Sequence, residues 1–168
     1  MNILVVIPFE NFIYKIIDIL KEVYSGEEKI CYVTLNKPYK ALTSIMQERG
    51  FPLDRVIIID AITKTVIKQP AVTRNCIFIS SPIAYPELAT AIESVMTTQK
   101  IGAIIFDSIS TLMIFESEQN TVNYARQIID WAAMYKCESL MAFLKEDSNK
   151  DIMQHLSALV DKVISLEE

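Results

Sequence analysis

Residues 102–112 read Gly-Ala-Ile-Ile-Phe-Asp-Ser-Ile-Ser-Thr-Leu and contain the clearest strand pattern of the chain. Residues 103–106 are apolar throughout, which predicts a strand buried on both faces of a sheet. Asp107 and Ser108 follow directly, so polar side chains stand where the strand ends. Because ligands bind outside the carboxyl ends of strands in open α/β sheets, these two residues are the first candidates for a functional site.

Further apolar runs flank this strand in both directions along the chain. The expected strands cover residues 3–7, 30–35, 56–59, 76–79, 103–106, 139–144 and 162–166. Short apolar strands that alternate with amphipathic helices predict a mostly parallel sheet covered by helices on both faces. The 168 residues show no linker and no internal repeat, so we expect a single three-layer α/β domain over residues 1–168.

About five helices are expected from apolar residues at three- and four-residue spacing. They cover residues 9–24, 38–49, 84–98, a long stretch from 117 or 118, and 151–159. The first helix is apolar over more of its circumference than a surface helix needs, so its wide face should cover the sheet or contact another subunit. Residues 60–75 lack a clear period and are interpreted as irregular chain that could hold a short hairpin. Residues 112–115 are interpreted as a short apolar piece.

Residues 102–112 resemble the Walker B region of RecA/KaiC-like ATPases, in which an apolar strand delivers an aspartate and Ser and Thr residues follow. Residues 30–35 look like the second strand of that family, and residues 161–166 look like its closing strand. With the helix at 84–98, the similarity covers nearly the whole chain and is closest to the archaeal KaiC-like group. It implies a RecA-like P-loop NTPase fold, with Asp107 at the position that holds magnesium against nucleotide phosphates.

The junction between the first strand and the first helix departs from the family's pattern. The family has Gly-x-x-x-x-Gly-Lys-Ser/Thr there, whose backbone N–H groups, lysine and hydroxyl hold phosphates and magnesium. Here residues 8–12 read Pro-Phe-Glu-Asn-Phe, without Gly, Lys, Ser or Thr. Glu10 would also place a negative charge beside anionic phosphates. The resemblance therefore implies a degenerate phosphate-binding loop.

A second departure follows the second strand. Enzymes of the family carry adjacent glutamates there, at least one of which activates the attacking water, but the matching residues are Asn36 and Lys37. Neither is a carboxylate base, so we expect no catalytic residue and no bound cofactor, ATP and magnesium included. What the resemblance leaves is a vestigial nucleotide site of Asp107, Ser108, Asn36 and Glu10, in which Asp107 is the candidate metal ligand.

Structural roles are the alternative for the same polar residues. Asp107 could cap the following turn through N–H groups two or three residues on, and the Ser108 hydroxyl could bond to backbone. Asp60 also ends an expected strand and, with Lys145, partly matches a receiver-type phosphoacceptor site. That interpretation is disfavoured because Glu10 supplies only one of the two acids such a site needs and the expected strands are too many.

Charge and cysteine content restrict the partners and the compartment. Acidic residues outnumber basic ones by 21 to 16, for a net charge of −5, which disfavours nucleic acid as a partner. No apolar run reaches the roughly 18 residues of a membrane span. The cysteines are three and scattered, which is typical of reduced core residues, and the first residues lack the basic region of a signal peptide. A cytoplasmic location without a membrane contact is expected.

The resemblance and its departures together predict a non-catalytic KaiC-like domain that acts as a regulatory or scaffolding module through protein–protein contact. RecA-like domains often assemble side by side, so the resemblance implies a homo-oligomer or a complex with an active paralogue. The alternative is a nucleotide-binding protein or ATPase that holds phosphate at a non-standard site, formed by residues 8–11 with Asn36 and Asp107. A DNA-associated factor derived from an ATPase is a third interpretation, which the acidic charge disfavours.

Overall fold

A computed structural model describes residues 1–167 of the chain. Seven strands form one sheet: Asn2–Ile7 (β1), Lys29–Thr34 (β2), Val56–Asp60 (β3), Cys76–Phe78 (β4), Ile101–Asp107 (β5), Glu138–Leu144 (β6) and Lys162–Ser165 (β7). The strand order is β4-β3-β2-β5-β6-β1-β7, and every neighbouring pair is parallel. The α/β prediction is confirmed, with a sheet that is parallel throughout.

Helices cover both faces of this sheet. They are Phe12–Val23 (α1), Tyr39–Glu48 (α2), Thr63–Val66 (α3), Tyr85–Thr98 (α4), Ile109–Phe115 (α5), Glu118–Met134 (α6) and Ile152–Leu159 (α7). The buried side chains of α1 and α2 pack on one face of the sheet, and those of α4, α5, α6 and α7 pack on the other, which gives the three expected layers. No helix within residues 1–167 is long and apolar enough to cross a bilayer.

One local prediction is wrong, and the structure adds detail to two others. Helix α1 begins at Phe12, and Phe9 is 74% exposed instead of lying on the buried face of a longer helix. Residues 60–75 contain the one-turn helix α3 followed by irregular chain, in place of a hairpin. The apolar piece at 112–115 is the second half of α5, whose seven residues are too few for a helical period to stand out from the sequence.

The wide apolar face of α1 is buried within the chain. Its five buried residues are Ile13, Ile16, Ile17, Ile19 and Leu20. They share one core with strands β1, β2 and β3 and with helix α2. Each fully buried side chain of this size contributes about 1.5–3 kcal/mol relative to exposure. Of the two explanations for the width of this face, packing on the sheet is the correct one.

The three cysteines are free. Cys31 is completely buried in β2, whereas Cys76 and Cys137 are half-buried. Burial raises the pKa of the Cys76 thiol to about 12 and is the main cause that raises the pKa of Cys137 to about 11. These thiols therefore stay protonated and unreactive at neutral pH, as expected of core cysteines.

Candidate functional site

A cleft of about 520 Å³ opens at the carboxyl edge of the sheet, the edge at which the parallel strands end. Its apolar lining includes Phe9, Phe12, Met113, Ile114 and Leu144. Its polar lining consists of Asn36, Lys37, Ser108, Ser110, Thr111, Asp147 and Lys150. Sheets of this kind bind ligands at this edge, so the cleft is the candidate functional site.

Asp107 ends β5 beside the cleft, and its side chain is completely buried. The Tyr32 hydroxyl donates to Oδ2 of Asp107 at 2.7 Å, and the side-chain amide of Asn36 donates to Oδ1 at 2.5 Å. Tyr32 reaches the carboxylate because β2 pairs with β5 so that Thr34 stands opposite Asp107, and side chains two residues apart share one face of a strand. Both carboxylate oxygens therefore have partners inside the chain.

Burial dominates the ionisation of this pair. It raises the pKa of Asp107 to about 6, against the opposing effects of the hydrogen bonds from Tyr32 and Asn36 and of the positive charge of Lys37. Burial and the adjacent carboxylate also hold the pKa of Tyr32 well above its usual range. At neutral pH the site thus contains a buried carboxylate that two neutral donors stabilise.

Asn36 is held in place by the turn between β2 and α2. The Thr34 hydroxyl oxygen accepts from the backbone N–H groups of Asn36 at 3.3 Å and Lys37 at 3.2 Å, and it donates to the carbonyl of Lys37 at 2.8 Å. On the other side, the Thr111 hydroxyl donates to Oδ1 of Asn36. The amide is therefore oriented with its N–H groups toward Asp107.

Ser108, and not Asp107, caps helix α5. The Ser108 hydroxyl oxygen accepts from the backbone N–H of Thr111 at 3.1 Å and lies 2.9 Å from the Thr111 hydroxyl. The interpretation of Ser108 as a residue bonded to backbone is confirmed. The cap predicted for Asp107 is wrong, because its carboxylate is directed to the donors of β2 and of the following turn.

Asp60 has the capping role instead, at the end of β3. Its carboxylate accepts from the backbone N–H groups of Ile62 at 2.7 Å, Thr63 at 2.9 Å and Tyr39 at 2.8 Å. Lys145 donates to the carbonyl of Leu166 at 3.0 Å. Both residues of the receiver-type interpretation thus have structural roles, and the disfavoured interpretation gains no support.

Four residues, 8–11, join β1 to α1 at the edge of the cleft. The backbone N–H of Phe9 donates to the two carboxylate oxygens of Glu146, at 3.0 and 3.2 Å. Asn11 has a left-handed conformation with φ of 58° immediately before α1. Glu10 is exposed and is not part of the cleft lining, so the fold does not bring it together with Asp107, Ser108 and Asn36.

The buried carboxylate does not fit a magnesium ion as it is placed. Magnesium requires near-octahedral oxygen ligands and keeps several waters, whereas Asp107 is completely buried and both its oxygens accept hydrogen bonds. Within residues 1–167, no group of three or more His, Cys, Asp or Glu side chains is arranged to hold a metal ion.

Sequence reasoning missed four residues that complete this site: Tyr32, Thr34, Thr111 and Glu146. Tyr32 and Thr34 alternate with apolar residues along β2, and this pattern indicates two polar side chains on one face of a buried strand. Glu146 gives no such signal, because its contact with Phe9 joins positions 137 residues apart.

Comparisons with known proteins establish the fold. No known family model matches the sequence, and no curated protein matches it. Among solved structures, the chain is similar to a KaiC-like protein of the hyperthermophilic archaeon Pyrococcus horikoshii, with a TM-score of 0.62 and 13% identity over 99% of this chain and 72% of that one. The chain therefore has the RecA-like α/β fold of that KaiC-like protein.

Proposed function

We propose that this chain is a non-catalytic, KaiC-like domain that acts as a regulatory or scaffolding module through contacts with other proteins. The observation that carries the proposal is the β1–α1 junction, which lies where a nucleotide-binding member of the fold holds phosphates. A Gly-x-x-x-x-Gly-Lys loop places about six residues ahead of its lysine. Here the junction has four residues and contains neither Gly nor Lys.

Electrostatics at this junction also oppose phosphate binding. The Phe9 N–H is engaged by the Glu146 carboxylate, so one of the few backbone donors of the loop already holds an anion. A triphosphate would have to displace this carboxylate and approach the exposed Glu10 as well. Like charges at such short range disfavour binding.

The residues at the positions expected for the catalytic glutamates also support a non-catalytic domain. Asn36 and Lys37 follow β2 where the resemblance expects glutamates, and neither can accept a proton from water as a carboxylate does. Asn36 instead donates a hydrogen bond to Asp107 and helps to hold its carboxylate in the buried position. We therefore propose that this carboxylate has a structural role as the acceptor of hydrogen bonds from β2 and the following turn, and that the chain works in the cytoplasm with a protein partner or with further copies of itself.

One observation favours the alternative of a nucleotide-binding protein with a non-standard phosphate site. The cleft has room for a ligand, and Lys37 and Lys150 both line it, together with the hydroxyl-bearing Ser108 and Thr111. Lys150 also forms an ion pair with Asp147 at 2.8 Å, so a phosphate would compete with that carboxylate. This alternative requires the ammonium groups of Lys37 and Lys150 to bind the phosphates that a glycine-rich loop binds in other proteins.

Thermal unfolding with magnesium–ATP or magnesium–ADP separates the two functions. A ligand at 100 times its dissociation constant stabilises the folded state by about 2.7 kcal/mol, which raises the Tm by about 5–10 °C in a chain of this size. We expect no shift at millimolar nucleotide. The alternative expects a shift that is lost in Lys37→Ala/Lys150→Ala and kept in the matched control Lys40→Ala, since Lys40 does not line the cleft.

A further inference from the structure

The loops at the carboxyl edge of the sheet lie side by side in the order of the strands that they follow. As a result, basic and acidic residues are concentrated at opposite ends of that edge. At one end, after β2 and β3, the charged side chains are lysines; this basic end consists of Lys37, Lys40, Lys64 and Lys68. Residues 35–47 and 61–75 contain no acidic residue at all. Hydrogen bonds from Ser80 and, to a lesser extent, the charge of Lys64 lower the pKa of Glu87, so Lys64 is partly neutralised.

The opposite end of the same edge is acidic. The loops after β6 and β1 and the residues after β7 carry the acidic end, which consists of Glu10, Glu146, Asp147, Asp151 and Glu167. Two lysines lie here as well, but each is already paired: Lys145 with Glu167 at 3.2 Å, and Lys150 with Asp147 at 2.8 Å. The acidic end therefore keeps an excess of negative charge, whereas the basic end has an excess of positive charge.

Exposed apolar side chains occupy the middle of the edge. Strand β5 is the fourth of the seven strands, and helix α5, which follows it, exposes Ile114 to 77% and Phe115 to 53%. Phe9 on the acidic side and Val66 on the basic side are 74% and 82% exposed. Phe9 and Ile114 line the same cleft, and exposed apolar side chains that lie close together in this way mark interaction surfaces. From one end to the other, the edge is thus basic, apolar and acidic.

We propose that two copies of this chain pair through their carboxyl edges, about a two-fold axis perpendicular to the sheet at the end of β5. This axis reverses the strand order of the second copy, so the basic end of each copy meets the acidic end of the other and the apolar middles meet. A two-fold axis along the edge would instead set basic against basic. Charge complementarity selects the first arrangement, which is isologous and closes as a dimer.

A stable contact would need only a small part of the surface of this chain. A standard interface buries about 800 Å² on each partner, which is about a tenth of the accessible surface of 8582 Å² of this chain. The inference rests on the proposed function, because the dimer covers the cleft in which a nucleotide would bind. A second copy is chosen as the occupant because both complementary surfaces lie on this one chain.

Charge reversal tests the pairing through the dimer dissociation constant, measured by light scattering after gel filtration. Lys40→Glu/Lys68→Glu and Glu10→Lys/Asp151→Lys change exposed side chains at the two ends. We expect each double variant to weaken the dimer at least about tenfold, since Lys40→Glu/Lys68→Glu removes the excess positive charge of the basic end and Glu10→Lys/Asp151→Lys removes the excess negative charge of the acidic end. An equimolar mixture of the two variants should recover a one-to-one heterodimer in part, because the unchanged acidic end of one variant then faces the unchanged basic end of the other. Lys100→Glu/Lys162→Glu, with the same charge change at the opposite edge, should leave the dimer unchanged.

Salt gives an independent measurement of the same contact. Raising the ionic strength from about 0.05 M to about 0.5 M should weaken the native dimer about tenfold, because exposed charge pairs are screened. A native chain that is monomeric at about 100 μM overturns the inference. So does a dimer that both double variants leave intact, or a mixture that does not recover.

These outcomes are separate from those of the proposed function. If the chain is monomeric and does not bind magnesium–ATP, the proposed dimer is refuted. The proposed function as an interaction module then remains, with a different protein as the partner. A chain that pairs without nucleotide but dissociates as magnesium–ATP binds contradicts the proposed function and keeps the pairing, because the nucleotide and the second copy then compete for the cleft.

Discussion

At the scale of single residues, Asp107 is an ionised group that the solvent does not reach. Transfer of a carboxylate out of water is costly unless hydrogen bonds compensate it. Tyr32 and Asn36 supply two such bonds, yet the pKa of Asp107 still lies near 6, above its ordinary value of 3.8. Asp107 is therefore protonated at a higher pH in the folded state than in the unfolded chain.

This difference predicts how stability changes with pH. Between the unfolded pKa near 3.8 and the folded pKa near 6, the folded state binds more protons than the unfolded state, so stability falls as the pH rises. The total effect is about 3 kcal/mol, reached above about pH 7. Asp107→Asn cannot ionise, and we expect its free energy of unfolding, relative to that of the native chain, to rise by this amount from about pH 4 to about pH 7.

Urea unfolding at a series of pH values measures this difference. Asp130→Asn is the matched control, because Asp130 is an exposed residue on α6, and its profile should run parallel to that of the native chain. Parallel profiles for native and Asp107→Asn would show instead that the carboxylate is solvated or compensated in the folded chain.

At the scale of elements, the turn between β2 and α2 positions the Asn36 side chain that donates to the buried carboxylate of Asp107. Thr34 is completely buried, and its hydroxyl makes three hydrogen bonds with the backbone of Asn36 and Lys37. These bonds define the turn on which the Asn36 amide is carried. The position of the Asn36 side chain thus depends on the Thr34 hydroxyl at the end of β2.

Thr34→Val keeps the shape of this side chain and removes its hydrogen bonds. We expect a loss of about 1–3 kcal/mol in the free energy of unfolding, because two backbone N–H groups lose their acceptor in a partly buried turn. Thr43→Val is the control, since it removes only the donation of one hydroxyl to the carbonyls of Tyr39 and Lys40 within α2 and should cost less than about 1 kcal/mol. Equal losses in the two variants, measured by urea unfolding, would contradict the role of the turn.

The elements also show what a sequence can and cannot predict. The apolar runs at β1, β2 and β5 and the helical spacing of α4 predict their own positions, because burial on both faces or on one stripe leaves a local pattern. Helix α5 has no such pattern, since Ile109 and Leu112 are separated by Ser and Thr in a segment of seven residues. The apolar period predicts that α1 starts at Phe9, because Phe9 matches the spacing although it is exposed and lies in the β1–α1 junction.

At the scale of the whole molecule, the candidate site depends on contacts that no local pattern contains. Asp107, Ser108 and Asn36 could be grouped from the sequence because each follows a strand of one parallel sheet. That Tyr32 and Asn36 take both oxygens of Asp107 depends on the register of β2 against β5. The contact of Glu146 with Phe9 depends on the adjacency of β6 and β1 in the sheet.

We propose that the carboxyl edge of the sheet does not bind magnesium–ATP. This proposal is tested most directly by titration calorimetry of magnesium–ATP into the native chain and into Glu146→Ala, in which the Phe9 N–H is released from its carboxylate. We predict no binding heat up to millimolar nucleotide for the native chain, and none for the variant, because the junction remains four residues long without Gly or Lys. Saturable binding by the native chain would contradict the account and would place a working phosphate site in the cleft.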